Sequence, residues 1–93
     1  MTWTVETLGP VVDAEIESLP KDMQAAFGAP HVKHLHGKLW EMRLTGRDGI
    51  ARAIYVTAAG RRLVVVHAFV KKSRKTPRAA LDLAEQRAKE IQP

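Results

Sequence analysis

The hydrophobic pattern of this chain changes period three times. In "WTVETL", Trp3 to Leu8, polar and apolar residues alternate and β-formers dominate, which predicts a short strand ended by Gly9-Pro10. Val12, Ile16 and Leu19 then recur at helical spacing, with Asp13, Glu15 and Glu17 facing out. Pro20 suits the first position of a second helix, with Ser18 or Leu19 near its cap and Met23, Ala26 and Phe27 as its apolar side. That helix stops at Gly28-Ala29-Pro30. Alternation returns in "KLWEMRL", where Trp40, Met42 and Leu44 share one face and Leu39, Glu41 and Arg43 the other. "GRDG" (Gly46 to Gly49) reads as a hairpin turn. "IARAIYVT" follows, with Arg52, Ile54 and Val56 on one side, and Gly60 turns the chain again. "RLVVVHAFV" is apolar on both faces, which predicts a central strand covered on both sides. Thr76 is placed to cap a last helix with Pro77 at its first position and Ala80, Leu81, Ala84, Ala88 and Ile91 as its buried stripe. The predicted order is β-α-α-β-β-β-α, an α+β fold on an antiparallel meander, with "HVKHLH" as a loop leading into a strand.

Length bounds this picture to a single domain, residues 1–93. An apolar fraction of 45% is ordinary for a globular chain. The absence of cysteine removes disulfides, thiolate metal sites and cysteine nucleophiles, and suits a reducing cytoplasm. Met1 to Pro10 lacks the pattern of a signal peptide, and "LVVVHAFV" is too short to span a bilayer. The expectation is a cytoplasmic protein with no membrane partner.

Charge is unevenly distributed. Residues 1–30 hold one base and five acids, for −4; residues 31–78 hold twelve bases and two acids, for +10; residues 79–93 hold two bases and three acids, for −1. A basic centre between acidic flanks points to a localised anion site, with nucleic acid the obvious large anion. Charge alone does not separate that reading from a sheet merely solvated by its lysines and arginines.

The densest cluster is Lys71, Lys72, Arg74, Lys75 and Arg78, between the last strand and a helix start whose free N–H groups also attract anions. Arg43 and Arg52 stand on neighbouring hairpin strands, close enough to share a phosphate between their forked guanidinium groups. Arg52 is either a snorkelling edge residue or the floor of a groove, and either arginine alone could be a surface ion pair, Arg43 with Glu41 for instance. His31, His34 and His36 invite a metal reading, but no further ligand stands at matching spacing, so the expectation is no metal and no cofactor. Lys33 and His34 fit a phosphate-facing or solvated role better. His67, on the face of Val65 and Phe69, reads first as a buried histidine bonded to a neighbouring element, and Tyr55 as a core or groove aromatic. Glu41 and Asp48 are isolated carboxylates, which argues against glycosidase and two-metal chemistry, and no Walker or dinucleotide motif is present. A cation-rich site can still cleave RNA, because the 2′-hydroxyl supplies the nucleophile and the protein need only align it and stabilise the phosphorane.

At "HVKHLHGKLWEMRL", "RAIYV" and "HAFVKKSRKTP" the chain resembles the phage-derived HigB-like toxins of the RelE/ParE superfamily, the toxic halves of type II toxin–antitoxin pairs. The resemblance runs from Pro30 to near the end, and "VDAEIESLP" is also similar to the family's first helix. It implies a RelE-like fold, with an N-terminal strand and helical hairpin on the meander and a C-terminal helix. It further implies a ribosome-dependent, metal-independent mRNA endonuclease restrained by a helix-turn-helix, HigA-like antitoxin. Carried onto matching positions, the catalytic residues would be Arg43, Arg52, Lys71 and Lys72. Lys33, Arg61, Arg62, Arg74, Lys75 and Arg78 would bind mRNA or ribosomal RNA. ParE-type relatives poison DNA gyrase instead, and a defective toxin that only binds antitoxin is a third reading. Two departures stand out: Ala51 where relatives often carry an aromatic, and a short "KDMQAAFGAP" where relatives have a longer second helix. Either residues are missing at Phe27–Gly28, the favoured reading, or a true deletion uncovers one face of the sheet.

Overall fold

The computed structural model describes residues 4–26, 31–70 and 76–91. Along the chain run β1 (Thr4–Thr7), α1 (Pro10–Glu17), α2 (Lys21–Ala25), β2 (His31–His36), β3 (Leu39–Gly46), β4 (Gly49–Ala58), β5 (Arg62–Val70) and α3 (Arg78–Ala88). The strands form one five-stranded sheet in the order β1-β5-β4-β3-β2. β1 lies parallel to β5 and the other pairs are antiparallel, so the α+β fold is built on a mixed sheet.

One strand more is present than the hydrophobic pattern predicts. "HVKHLH" is strand β2, paired with β3 through His31–Arg43, Val32–Met42, Lys33–Glu41 and His34–Trp40. As an edge strand it buries neither face fully, so the alternation that exposes a strand in a sequence is missing. β5 is interior, as its apolar character demands, but β4 holds the centre.

Alternation on β3 and β4 divides the apolar residues between two cores. Met42, Leu44, Ala51, Ala53, Tyr55, Val65 and Ala68 lie under Val12 and Leu19 of the α1 segment and Met23 of α2. Leu39, Ile54, Val56, Val64 and Val66 lie under α3 around Ala84, with Leu81, Ala88 and Ile91 at the margin. Each large aliphatic side chain fully buried in this way contributes about 1.5–3 kcal/mol. A bulge in β5 adjusts the division. Ile54 pairs with His67 and Tyr55 with Val65, so Val66 is an extra residue. It turns His67 to the α3 side with Phe69 and away from Val65, where strict alternation would have kept all three together.

The second helix is short, and Pro20 precedes it as the cap residue. Its seat is specific. The Asp22 carboxylate accepts the Arg47 N–H at 2.5 Å and the Met23 N–H at 3.0 Å, tying α2 to the β3–β4 turn. The Arg47 N–H is the main reason the Asp22 carboxyl is held below its usual range. Gly46 permits this approach, because a Cβ there would lie 2.6 Å from Met23 Cγ. The Phe27–Gly28 junction lies outside the described residues. The sheet face expected to lose cover is nevertheless buried from Leu44 to Val65. Val32 and Trp40, toward the β2 edge of that face, stay open at 54% and 38% exposure.

Candidate functional site

Strand register assembles the site. His31, Arg43, Arg52 and Phe69 are successive partners across β2, β3, β4 and β5. The adjacent row is Lys33, Glu41, Ile54 and His67. Both rows lie on the α3 side of the sheet. Arg43 and Arg52, expected to be neighbours, are directly paired.

Their environments differ sharply. Arg52 is 1% exposed and Glu41 is fully buried. Arg52 Nη1 donates to Glu41 Oε2 at 2.7 Å and also to the Thr76 hydroxyl. That hydroxyl in turn donates to Glu41 Oε2 at 3.1 Å. Arg43 Nε lies 3.5 Å from Glu41 Oε1, an ion-pair contact without hydrogen-bond geometry, and the Arg43 side chain is 41% exposed. Arg52 therefore forms the floor and Arg43 the part of the pair that meets solvent. Beside it, His31, Val32, Lys33 and Arg43 line a shallow hollow of about 130 Å³. Lys33, Arg43 and Arg52 against one carboxylate leave two positive charges on this surface, which suits an anion.

Thr76 does not cap α3. Pro77 takes the cap position without a side-chain hydrogen bond, and the Thr76 hydroxyl is committed to the buried pair. The interaction anchors the approach to α3 on β3 and β4. Arg78 follows in the first turn, highly exposed, with Asp82 at 3.9 Å. Lys71, Lys72, Arg74 and Lys75 lie outside the described residues. Arg61 and Arg62 belong elsewhere: they stand at the opposite end of β5, where Arg62 pairs with Glu6. Seven residues separate Arg62 from Phe69, roughly 23 Å of strand.

His67 is part of a second polar cluster. Its Nδ1 is 2.9 Å from Glu15 Oε1, and Glu15 also accepts the Ala68 N–H at 3.1 Å. Arg87 of α3 donates to both Glu15 oxygens, at 3.1 and 3.0 Å, and to the Val66 carbonyl at 2.8 Å. β1 ends opposite Val65, so this cluster satisfies the bulged β5 edge beyond it. Glu15 turns inward, contrary to the outward position expected from helical spacing. Burial pushes its carboxyl up, but His67, Ala68 and Arg87 together outweigh that and hold it below the usual range. Tyr55 is a core aromatic, and burial pushes its phenol up. His34 Nε2–H donates to the Gly37 carbonyl at 2.7 Å, and the ring meets Trp40 edge-on. Among the described residues, no three histidine, cysteine or acidic side chains gather in a way that could hold a metal. No described helix is long and apolar enough to cross a membrane.

Glu41 and Thr76 are the residues that sequence reasoning missed. A signal for Glu41 existed. Arg52 shares a face with Ile54 and Val56, and an arginine on an apolar face requires a buried acid; Glu41 stands on the neighbouring strand with the matching parity.

The model of one protein family, described as phage-derived protein Gp49-like, matches residues 12–89. The chain belongs to this family. The match spans α1 to α3 and so includes both rows of the site and both polar clusters. No curated protein matches the chain.

Proposed function

We propose that this protein is the toxin of a type II toxin–antitoxin pair and that it cleaves mRNA on the ribosome without a metal ion. Membership of the Gp49-like family, which is of RelE/HigB-like toxin type, supports the toxin class. The α+β order, with a strand and helical hairpin before the meander and a helix after it, is compatible with a RelE-like fold. The observation that carries the anion-handling reading is the His31–Arg43–Arg52 row, with the adjoining Glu41 carboxylate buried and neutralised.

In this reading Arg43 contacts the scissile phosphate, with Lys33 steering the adjoining backbone. Arg52 acts from beneath, holding Glu41 so that it does not repel the substrate. Lys71 and Lys72 stabilise the charge that grows on the phosphorane oxygens, and one of them protonates the leaving 5′-oxygen. The 2′-hydroxyl of the RNA is the nucleophile, so products carry a 2′,3′-cyclic phosphate and a 5′-hydroxyl. Arg61, Arg62, Arg74, Lys75 and Arg78 add salt-sensitive contacts to ribosomal RNA. The physiological restraint is a helix-turn-helix antitoxin.

The test is induced expression with growth and mRNA integrity followed together. Growth arrest with mapped mRNA cuts is expected. Arg43→Ala should lower cleavage by roughly 10²–10³-fold, the usual effect of losing one transition-state donor. Full toxicity of Arg43→Ala would refute the site. Inhibited supercoiling by purified protein with intact mRNA would select the gyrase reading instead.

A further inference from the structure

We propose that the outer edge of β2 is a docking strand for an extended segment of another protein in which acidic and apolar residues alternate. Among the described residues, β2 is the last strand of the sheet and pairs only with β3. All its residues except Leu35 are exposed, and no described strand pairs with its outer edge. Edges of this kind recruit strands unless they are blunted.

The two faces of the edge differ, and the difference specifies the guest. On one side are His31, Lys33 and the half-exposed Arg43, around the shallow hollow. On the other are Val32 and Trp40, both exposed, with the His34 ring edge-on to Trp40. An added strand would lie about 4.8 Å outboard with side chains alternating between the faces. Acidic residues at every second position would meet Lys33 and Arg43, and apolar residues between them would cover Val32 and Trp40. The bulge between His34 and His36 limits regular pairing to the first part of the strand.

Two other occupants fit less well. A second copy of β2 would bring His31 and Lys33 against their own kind, and like charges directly opposite are destabilising. A nucleic acid would satisfy the cations but neither the free strand edge nor Val32 and Trp40. The docking claim does not depend on the nuclease reading, because it concerns a strand edge and can be measured without RNA cleavage.

The probe is a short synthetic peptide alternating Glu and Val, labelled for fluorescence anisotropy. Controls are the same composition with Glu and Val in separate blocks, and the alternating peptide N-methylated at every second amide on the pairing edge. The alternating peptide should bind, and both controls should bind at least about tenfold more weakly. Hydrogen exchange should slow at the β2 amides. Val32→Asp and Lys33→Glu should each weaken binding about fivefold or more with unchanged thermal unfolding, since both side chains are exposed. Absence of binding, equal binding of the N-methylated peptide, or protection confined to other strands would overturn the proposal. So would self-association through β2, or a short oligoribonucleotide that protects the β2 amides when the peptide does not. Growth arrest without peptide binding would overturn the docking strand while leaving the toxin reading in place.

Discussion

Replacing Glu41 should cost this small domain a large share of its stability, and replacing Glu41 and Arg52 together should cost much less. The carboxylate is fully buried, accepts hydrogen bonds from Arg52 and Thr76, and has Arg43 at 3.5 Å. Glu41→Leu leaves the Arg52 guanidinium inside the protein without its counter-ion. Breaking a buried pair from one side costs about 3–5 kcal/mol, against a typical total stability of about 5–15 kcal/mol. At about 4–8 °C per kcal/mol for a domain of this size, even the lower figure lowers Tm by roughly 12–24 °C. Glu41→Gln keeps an acceptor and should fall at the mild end. Arg52→Met orphans the carboxylate and should resemble Glu41→Leu. In the double variant, Glu41→Leu with Arg52→Met, neither charge remains to be stranded, and apolar replacements of buried pairs are often near neutral. Arg43 contributes little to that balance because it can turn to solvent. Urea unfolding followed by far-UV circular dichroism gives the three free energies, and the cycle gives a coupling of about 2 kcal/mol or more. The double variant should also exchange the first-turn amides of α3 faster, since the Thr76 anchor is gone. Additive losses in the double variant, or a loss below about 1 kcal/mol in Glu41→Leu, would refute the buried-pair account.

Acid sensitivity tests the other cluster. The Glu15 carboxyl titrates below its ordinary 4.5, so its stabilisation is present above that pH and fades as pH falls through the lower folded value. Glu15→Gln should be less stable than the parent at neutral pH, and the gap should close under acid; a gap constant with pH would contradict this. Arg61 sits at φ 59, a left-handed conformation that a side chain disfavours. Arg61→Gly should raise stability by roughly 0.5–1 kcal/mol in urea unfolding. Gly46→Ala should lower it by about 1–3 kcal/mol, because the new methyl meets Met23 and Asp22 of α2.

The sequence disclosed what depends on period. The faces of β3, the pairing of Arg43 with Arg52 and the apolar stripe of α3 all follow from residue spacing, and all are present. Parity even put Arg52 on the face with Ile54 and Val56, one step from its burial. Features that depend on exceptions to period were hidden. The bulge at Val66 reverses the side of His67 relative to Val65, and no residue type announces it. β2 lacks alternation because both its faces are wet. Glu15 turns inward to satisfy a strand edge left open by the end of β1, a need visible only once the strands are paired. Thr76 carries the usual signature of a cap before Pro77, but a buried guanidinium competes for its hydroxyl and wins.

The parallel pairing of β1 with β5 has a consequence during synthesis. Thr4 is made 58 residues before its partner Arg62. Thr76, which seals the Arg52–Glu41 pair, comes later still. Closing so long a loop adds little to the equilibrium cost but slows folding, because distant contacts must wait for one another. A nascent chain can form the β2–β3–β4 hairpins locally, yet it lacks the strand and hydroxyl that complete the cationic row. A chain released before β5 is a fragment with raw edges, fit for proteolysis.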